Sequence, residues 1–515
     1  MHRFHLILEH IMSQEARQTR ILLFSILIIA TNGVIYELLI AGYSSYLLGD
    51  SITQFSLTIG VFLSAMGLGS WLTQFVNRHL ERRFIEVELL LAFLGGPAVL
   101  LLAYSHIYTR VYQWVMFAVI IVLGALIGFE IPLVTRMVQR HESLKKALAD
   151  VLSFDYLGAL FGSILFPMVL LPKMGFSRTS FFIGLLNLGV AFLNIWLFRK
   201  VLQKSTKLFL GVAAAIGAIL LGGFLFSTGW IESAREKATA QTNVYLAHTP
   251  YQTIRFIKEK QSDGAPIYRL YLNREHQFSS NDEHIYHEAL VHPAMSAAKQ
   301  KRRILVLGGG DGLVLRELWR YKGIKEVFLV DLDPAMTQFA RSHAIMKQLN
   351  KRSLEDPRLR ILHQDAYQYL KRCPKPFDVV IIDLPIPSNV ALSKLYTVSF
   401  YRALRRCVAP HGVFSTEAAN LDPTENKPFW SLVATQKKAG WQPHPYAEGT
   451  MAFVLSARHN IQTQKLQLQV QARHLHTPLL RLAFHLPKDV QGTREHAPIN
   501  TLDTHKLMYL TLEQK

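Results

Sequence analysis

The chain has 515 residues, half of them hydrophobic and only 18% charged, and carries a formal net charge of +19. That length allows two or three domains, and so apolar a composition is at odds with a wholly soluble protein. The positive charge makes no case for nucleic acid, because many Lys and Arg stand in short runs between hydrophobic stretches, where membrane topology accounts for them.

The apolar residues concentrate in the first 230 positions. Seven stretches there, at approximately 21–44, 54–76, 84–104, 112–135, 149–172, 179–198 and 207–228, approach the roughly 20 residues that cross a bilayer. The residues before them include Glu9, Glu15 and several His, which does not fit a cleaved signal peptide, so the first stretch is expected to stay as an anchor. Gly60, Ala65, Gly67 and Gly69, then Gly124, Ala125 and Gly128, then Gly158, Ala159 and Gly162 predict closely packed membrane helices. Glu37, Glu130 and Asp155 fall inside spans, where a charge is costly. They fit interhelical hydrogen bonds or an interfacial position first, and a pocket for an organic cation second. Arg and Lys cluster before the first span and after the second, fourth and sixth, which puts the N-terminus in the cytoplasm. Seven crossings then leave the downstream domain on the other side, unless one of the segments does not cross.

From about 230 the composition becomes that of a soluble domain. Residues 231–242 read as a polar, helical connector. Strands are predicted at 251–256 and 268–273, joined by a turn at Asp263 and Gly264, so a small antiparallel layer comes first. A polar run from Gln277 to Glu288 then enters a helix on which Glu283 and His287 share a face. A zinc site on that pair lacks a third ligand. Next, four apolar residues (Ile304, Leu305, Val306 and Leu307) run into Gly308-Gly309-Gly310-Asp311-Gly312, and a second apolar strand ends on Asp331. Strand, glycine turn, helix, strand and acid in that order point to the ribose of an adenosine ligand. Asp365 and Asp383 end two later strands, so four acids converge on the carboxyl edge of one sheet. Such a crevice suits an adenosine carrying a positive centre, of the S-adenosylmethionine type, and suits a dinucleotide or triphosphate poorly. Cys373 and Cys407 lie in this part with no metal-ligand spacing, and predict neither a disulfide framework nor a cysteine zinc site.

The pieces together resemble the spermidine synthases, the polyamine aminopropyltransferases. The matching residues are Tyr251-Gln252-x-Ile254, Gln277 with Asp282-Glu283 and Tyr286-His287-Glu288, the glycine turn, Asp331-Leu332-Asp333, Asp365-Ala366, Asp383, Leu395-Tyr396-x-x-x-Phe400-Tyr401, and Pro445-Tyr446-x-x-Gly449 with Phe453. The whole chain is similar to the membrane-attached bacterial branch. The resemblance implies an N-terminal α-helical multi-span bundle over 1–230. After it come a C-terminal α/β Rossmann-like methyltransferase-type domain with a small β layer over 231–460, and a tail over 461–515 without an assigned role.

The resemblance also implies an activity, the transfer of an aminopropyl group from decarboxylated S-adenosylmethionine to putrescine or a related amine, giving spermidine and methylthioadenosine. That donor is a co-substrate, and neither a cofactor nor a metal is expected. Carried over by motif, Gln252, Gly308, Gly310, Asp331, Asp365 and Ala366 hold the nucleoside. Tyr286, His287, Asp311 and Gln277 face the aminopropyl and amine chain, and Asp383 takes the proton of the attacking amine. A bacterial inner-membrane location and a homodimer are implied. The substrates place the synthase domain in the cytoplasm, against the charge count. One position departs from the family: Ile386 stands where a second acid is usual, and forfeits a charge-assisted bond to an ammonium of roughly 1.5–3 kcal/mol. Arg274 stands where the family tends to have a small residue. Two other readings stay open, a polyamine-binding or transport protein with a degenerate synthase domain, and a methyltransferase using intact S-adenosylmethionine.

Overall fold

A computed structural model describes residues 2–48, 51–239, 241–260, 264–273, 275–421, 426–487, 490 and 497–512. The chain divides into two units, Met1–Thr242 and Asn243–Lys515. Arg274 and Asp263 lie outside the described residues.

Long apolar runs make the first unit helical. Its elements are α1 (His2–Leu48), α2 (Ser51–Leu72), α3 (Leu80–Gly95), α4 (Ala98–Tyr108), α5 (Tyr112–Val138), α6 (Leu144–Leu165), α7 (Leu171–Leu197), the short α8 (Arg199–Leu202) and α9 (Ser205–Thr239). Among the described residues six stretches are long and apolar enough to cross a membrane, and the fifth, Leu144–Leu197, has 54 residues. That is more than twice what one crossing needs. It is α6 and α7 joined through a segment with Pro167 and Pro172, and the helix breaks at Gly175, whose φ of 71° a side chain would resist.

Contacts with α1 give the direction of each half. Gly158 and Gly162 of α6 lie against Leu27 and Thr31, and Phe176 at the turn lies against Gly42. On α7, Asn187 then pairs with Asn32, and Asn194 with Ser25. The level on α1 rises along α6 and falls along α7, so the two helices are antiparallel. With α3 and α4 taken as one segment, α1, α2, α3–α4, α5, α6, α7 and α9 make seven long helical segments among the described residues.

The ends of these segments sort by charge. Arg140 pairs with Glu81, and Arg136 donates to the carbonyls of Thr73 and Val76, so the turns after α2 and α5 lie together. Near Arg199 the chain turns into α9, which runs antiparallel to α7, with Gly217 against Leu188 and Gly223 against Phe181. α9 therefore ends at the face opposite these basic turns. Small residues allow the predicted close packing where Gly124 meets Ala65 and Gly128 meets Met66. Gly60 and Gly67, by contrast, face open space. Glu130 is fully buried, as is Glu88 of α3, which the span pattern does not single out.

In the second unit the predicted hairpin becomes four strands in sequential order, β1 (Gln241–His248), β2 (Thr253–Lys260), β3 (Pro266–Leu272) and β4 (Glu275–Ser279). Helix α9 stops at Thr239 and β1 begins at once, so the end of the expected helical connector is strand instead. A seven-stranded sheet follows. Its strands are β5 (Arg303–Gly308), β6 (Glu326–Asp331), β7 (Leu359–His363), β8 (Phe377–Asp383), β9 (Val408–Asn420), β10 (Gln442–Glu448) and β11 (Met451–Ala457), in the order β10-β11-β9-β8-β5-β6-β7. Strands β5 to β9 are parallel, while β10 and β11 are antiparallel, with Tyr446 opposite Phe453.

Alternate residues of β5 bury on opposite faces. Ile304 and Val306 pack in a core with Phe256 and Leu290, and Leu305 and Leu307 in another with Phe377 and Phe400. The chain runs β5, β6, β7 outward and then returns to β8 on the other side of β5. The crevice of such a sheet lies at that reversal.

Contrary to the sequence reading, Cys373 and Cys407 form a disulfide, with Cα atoms 5.7 Å apart. Their spacing of 34 carries no signature. They meet because the helix Ala366–Lys371 packs on the helix Val398–Cys407. In the tail, the helices Thr477–Leu482 and Lys506–Leu512 put Leu480 and Leu507 into the two cores.

Candidate active site

The glycine turn brings β5 and β8 together. Gly308 has φ of 79°, and a Cβ there would collide with the carbonyl of Asp383, to which the Gly309 amide donates at 3.1 Å. A Cβ on Gly310 would lie 2.5 Å from Asp331 Oδ2, the oxygen that accepts the Gly310 amide at 3.0 Å. The other Asp331 oxygen accepts the Asp333 amide at 2.9 Å. Burial pushes the Asp331 carboxyl up to about 6, against the pull of these two amides. Asp311 is tied to the start of α11 (the second unit's helices are α10, Glu283–Ala297, then α11, Leu313–Leu318) by accepting the Leu313 amide at 2.8 Å.

Around the ends of β5 and β8 the charged groups interlock. His287, on α10, donates from Nδ1 to the Glu283 carbonyl at 2.6 Å and to Glu283 Oε2 at 3.0 Å. Arg316, on α11, grips both Glu283 oxygens at 2.7 and 2.9 Å. Burial alone would lower the His287 pKa. The Glu283 bond and the neighbouring acids outweigh it and raise the ring to about 9, so it is a cation at neutral pH. One polar atom each of His287, Asp311 and Asp383 lie within 4.8 Å of one another. The fold thus supplies the partners whose lack argued against zinc. A protonated ring donates and does not ligate, so the group reads as a cation held between carboxylates. Asp311 is pushed up to about 6 by burial, with His287 opposing and Asp383 adding to the shift. Burial also raises Asp383, against His287 and Tyr286.

Tyr286 joins a further acid to this group. Its hydroxyl reaches Asp383 Oδ1 at 2.8 Å and Glu417 Oε2 at 3.2 Å, with one proton to share between them. Glu417 is pushed up to about 7, by burial first and the Asp383 charge second. Sequence reasoning missed Glu417. The signal was there, since it too follows an apolar strand (Val413, Phe414) in the same sheet.

The nucleoside residues sit alongside. Gln252 donates to Asp333 Oδ2 at 3.0 Å, and Thr249 to the same oxygen at 2.9 Å, so Gln252 borders Asp331 through its neighbour. Asp365 caps the helix Ala366–Lys371 by accepting the Gln368 amide at 3.0 Å, and pairs with Lys394 at 2.6 Å. One of the four converging acids is therefore a helix cap as well. Ala366 is buried beside it. Gln277, on β4, donates to the Glu275 carbonyl at 3.1 Å, and no hydrogen bond among the described residues joins it to the Asp311–Asp383 group. Ile386 lines a small cavity with Pro387, Tyr396 and Glu417. The Tyr396 hydroxyl donates to the carbonyls of Leu384 and Pro385 at 2.9 and 3.0 Å, holding the loop after Asp383. The result is a half-buried acidic crevice with a candidate base, suited to cationic ligands.

Comparison with known proteins agrees with this geometry. Residues 283–447 match the spermine/spermidine synthase domain family. Polyamine aminopropyltransferase 2 of Ralstonia nicotianae is 40% identical over 456 residues, 86% of this chain and 88% of the relative. The polyamine aminopropyltransferase of Leptospira interrogans is 36% identical over 494 residues, 95% of this chain and 97% of the relative. A crystal structure of spermidine synthase from Thermotoga maritima is similar at 23% identity and a TM-score of 0.42, over 49% of this chain and 87% of that one. Because the relatives align through nearly their whole length, with the helical unit as well as the Rossmann-like one, the chain belongs to the polyamine aminopropyltransferase family.

Proposed function

We propose that this chain transfers the aminopropyl group of decarboxylated S-adenosylmethionine to putrescine or a related diamine. The observation that carries this reading is Asp383 at the sheet reversal, hydrogen-bonded to Tyr286 at 2.8 Å and grouped with Asp311 and the His287 cation. Asp331 takes the ribose hydroxyls, Asp365 and Ala366 border the base, and Gln252 supports Asp331 through Asp333. Asp383 removes a proton from the acceptor ammonium. The freed nitrogen lone pair forms a C–N bond to the aminopropyl carbon next to sulfur. The C–S bond breaks with its electron pair going to sulfur, so the sulfonium becomes neutral methylthioadenosine. A sulfonium needs no acid to leave, so one base and good positioning suffice.

The first unit, in the same reading, crosses a bilayer seven times with its basic turns in the cytoplasm. Asn243–Lys515 then lies on the far side. Two observations support this orientation over the cytoplasmic placement expected from the substrates: the antiparallel course of α6 and α7, which divides the stretch Leu144–Leu197 into two crossings and so makes their number odd, and a disulfide of the kind that persists in oxidising compartments.

The test is mass spectrometry of products from purified protein given the decarboxylated donor and a panel of diamines. Methylthioadenosine together with one new polyamine is expected. Folded protein that yields no product from any diamine would sink the transfer reading. Methylated amine made from intact S-adenosylmethionine would favour a methyltransferase.

A further inference from the structure

The helical unit has a polar centre that aminopropyl transfer does not use. Glu88 of α3 and Glu130 of α5 are fully buried, and their carboxyl groups lie within hydrogen-bond reach of one another. By the rise of a helix, each stands about 12 Å from the end of its helix at which Arg140 pairs with Glu81. Apart from each other, the four carboxyl oxygens have no hydrogen-bond partner among the described residues, so no Lys, Arg or His neutralises them. The titratable groups that face the pair are Tyr36 of α1 and the half-buried Asp155 of α6. From α7 comes only an amide, Asn187, which donates to the Tyr36 hydroxyl at 3.5 Å and pairs with Asn32, whose buried Oδ1 has no donor either. Helix α2, which packs on α5, brings no charge, and neither does α9, which packs on α3, between Lys207 and Glu232.

A hydrogen bond between helices needs a donor, and two carboxylates have none. Two like charges in contact and shut off from water cannot both stay ionised. The chain brings no countercharge to them, so a ligand has to. We propose that Glu88 and Glu130 form a proton-binding site in the core of the helical unit, one carboxyl group donating the bound proton to the other and so tying α3 to α5. A proton is the ligand that suits carboxyl groups already in contact and fully enclosed. Acids inside membrane spans serve in this way in proton relays. The site gives the first unit a proton-linked step of its own, whatever amine the second unit uses.

The experiment is infrared difference spectroscopy on the full-length protein at neutral pH, reading the carbonyl stretch that only a protonated carboxyl group shows. Protonated acids elsewhere in the chain cancel in the subtraction. Wild type minus the double variant Glu88→Gln with Glu130→Gln should leave a band with the area of one carboxyl group. Wild type minus Asp155→Asn should leave none. No band in the first difference overturns the proposal. A band in the second difference alone also overturns it, because the proton then belongs to α6. Loss of the wild-type band on adding sodium chloride or putrescine at constant pH does the same, since a cation then holds the pair. Should the double variant not fold, Glu130→Asp keeps a carboxyl group but withdraws its oxygens from Glu88. The band is then expected to change frequency, and a band left in place overturns the proposal.

Discussion

Asp383 sits between groups of opposite effect: burial and the nearby Asp331 charge favour its protonated form, and the His287 cation with the Tyr286 hydroxyl favours the carboxylate. A base poised in this way should matter to the chemical step and little to nucleoside binding. Asp383→Asn is expected to lower kcat by roughly 10²–10⁴, with methylthioadenosine affinity measured by calorimetry within about twofold of wild type; near-wild-type kcat would remove Asp383 from the base role. The acids also set a pH profile. Glu417 at about 7 and Asp311 at about 6 take up protons as the pH falls, so kcat/KM for the diamine should drop on the acid side. Glu417→Gln should remove the part of that fall near 7, and comparison of the two profiles cancels the amine's own titration. His287, raised from 6.5 to about 9 when folded, gives stability that is full below pH 6.5 and is lost as the pH rises through about 9. Asp311, Asp331 and Asp383 were legible as acids ending apolar strands. The charge on His287 was not, because Arg316, the residue that anchors Glu283, comes from another helix, 33 positions away.

Two elements carry most of the site's geometry, the glycine turn after β5 and the helix pair bridged by Cys373 and Cys407. Gly310 has an ordinary backbone, but a Cβ there would press on the Asp331 carboxylate. Gly310→Ala should therefore leave the protein folded and weaken methylthioadenosine binding roughly tenfold, the effect of a modest overpacking; unchanged affinity would show that Asp331 does not hold the nucleoside. Loss of the disulfide in Cys407→Ser should cost about 3 kcal/mol from the closed loop, read as a lower midpoint in chemical denaturation that added reductant reproduces in the wild type. Strands β5, β6 and β8 were readable because full burial makes them continuous apolar runs. Strands β1 and β4 were not, since one follows directly on a long helix and the other is five residues long. The hairpin of α6 and α7 was visible as two apolar stretches, but only their contacts along α1 show that they run in opposite directions.

At the scale of the whole molecule, the seven crossings proposed above make a topology that can be checked without any activity. A phosphatase reporter that works only outside the cytoplasm should be active when fused after Thr239 and inactive when fused in the turn between α5 and α6; the reverse pattern, or activity at both points, would refute the proposed orientation. Composition foretold a unit of long apolar helices followed by one of ordinary composition. It did not foretell that the tail lines the small cavity beside Ile386 and Glu417, because Leu507 and Thr511 act through tertiary contact and carry no motif. That placement has a consequence for biosynthesis. The helix Lys506–Leu512 leaves the ribosome after every other wall of the cavity. A nascent chain stalled short of it would already possess the glycine turn and the acids at the ends of β5, β6 and β8, and would lack that wall. Closure of that cavity therefore waits for the last of the described helices.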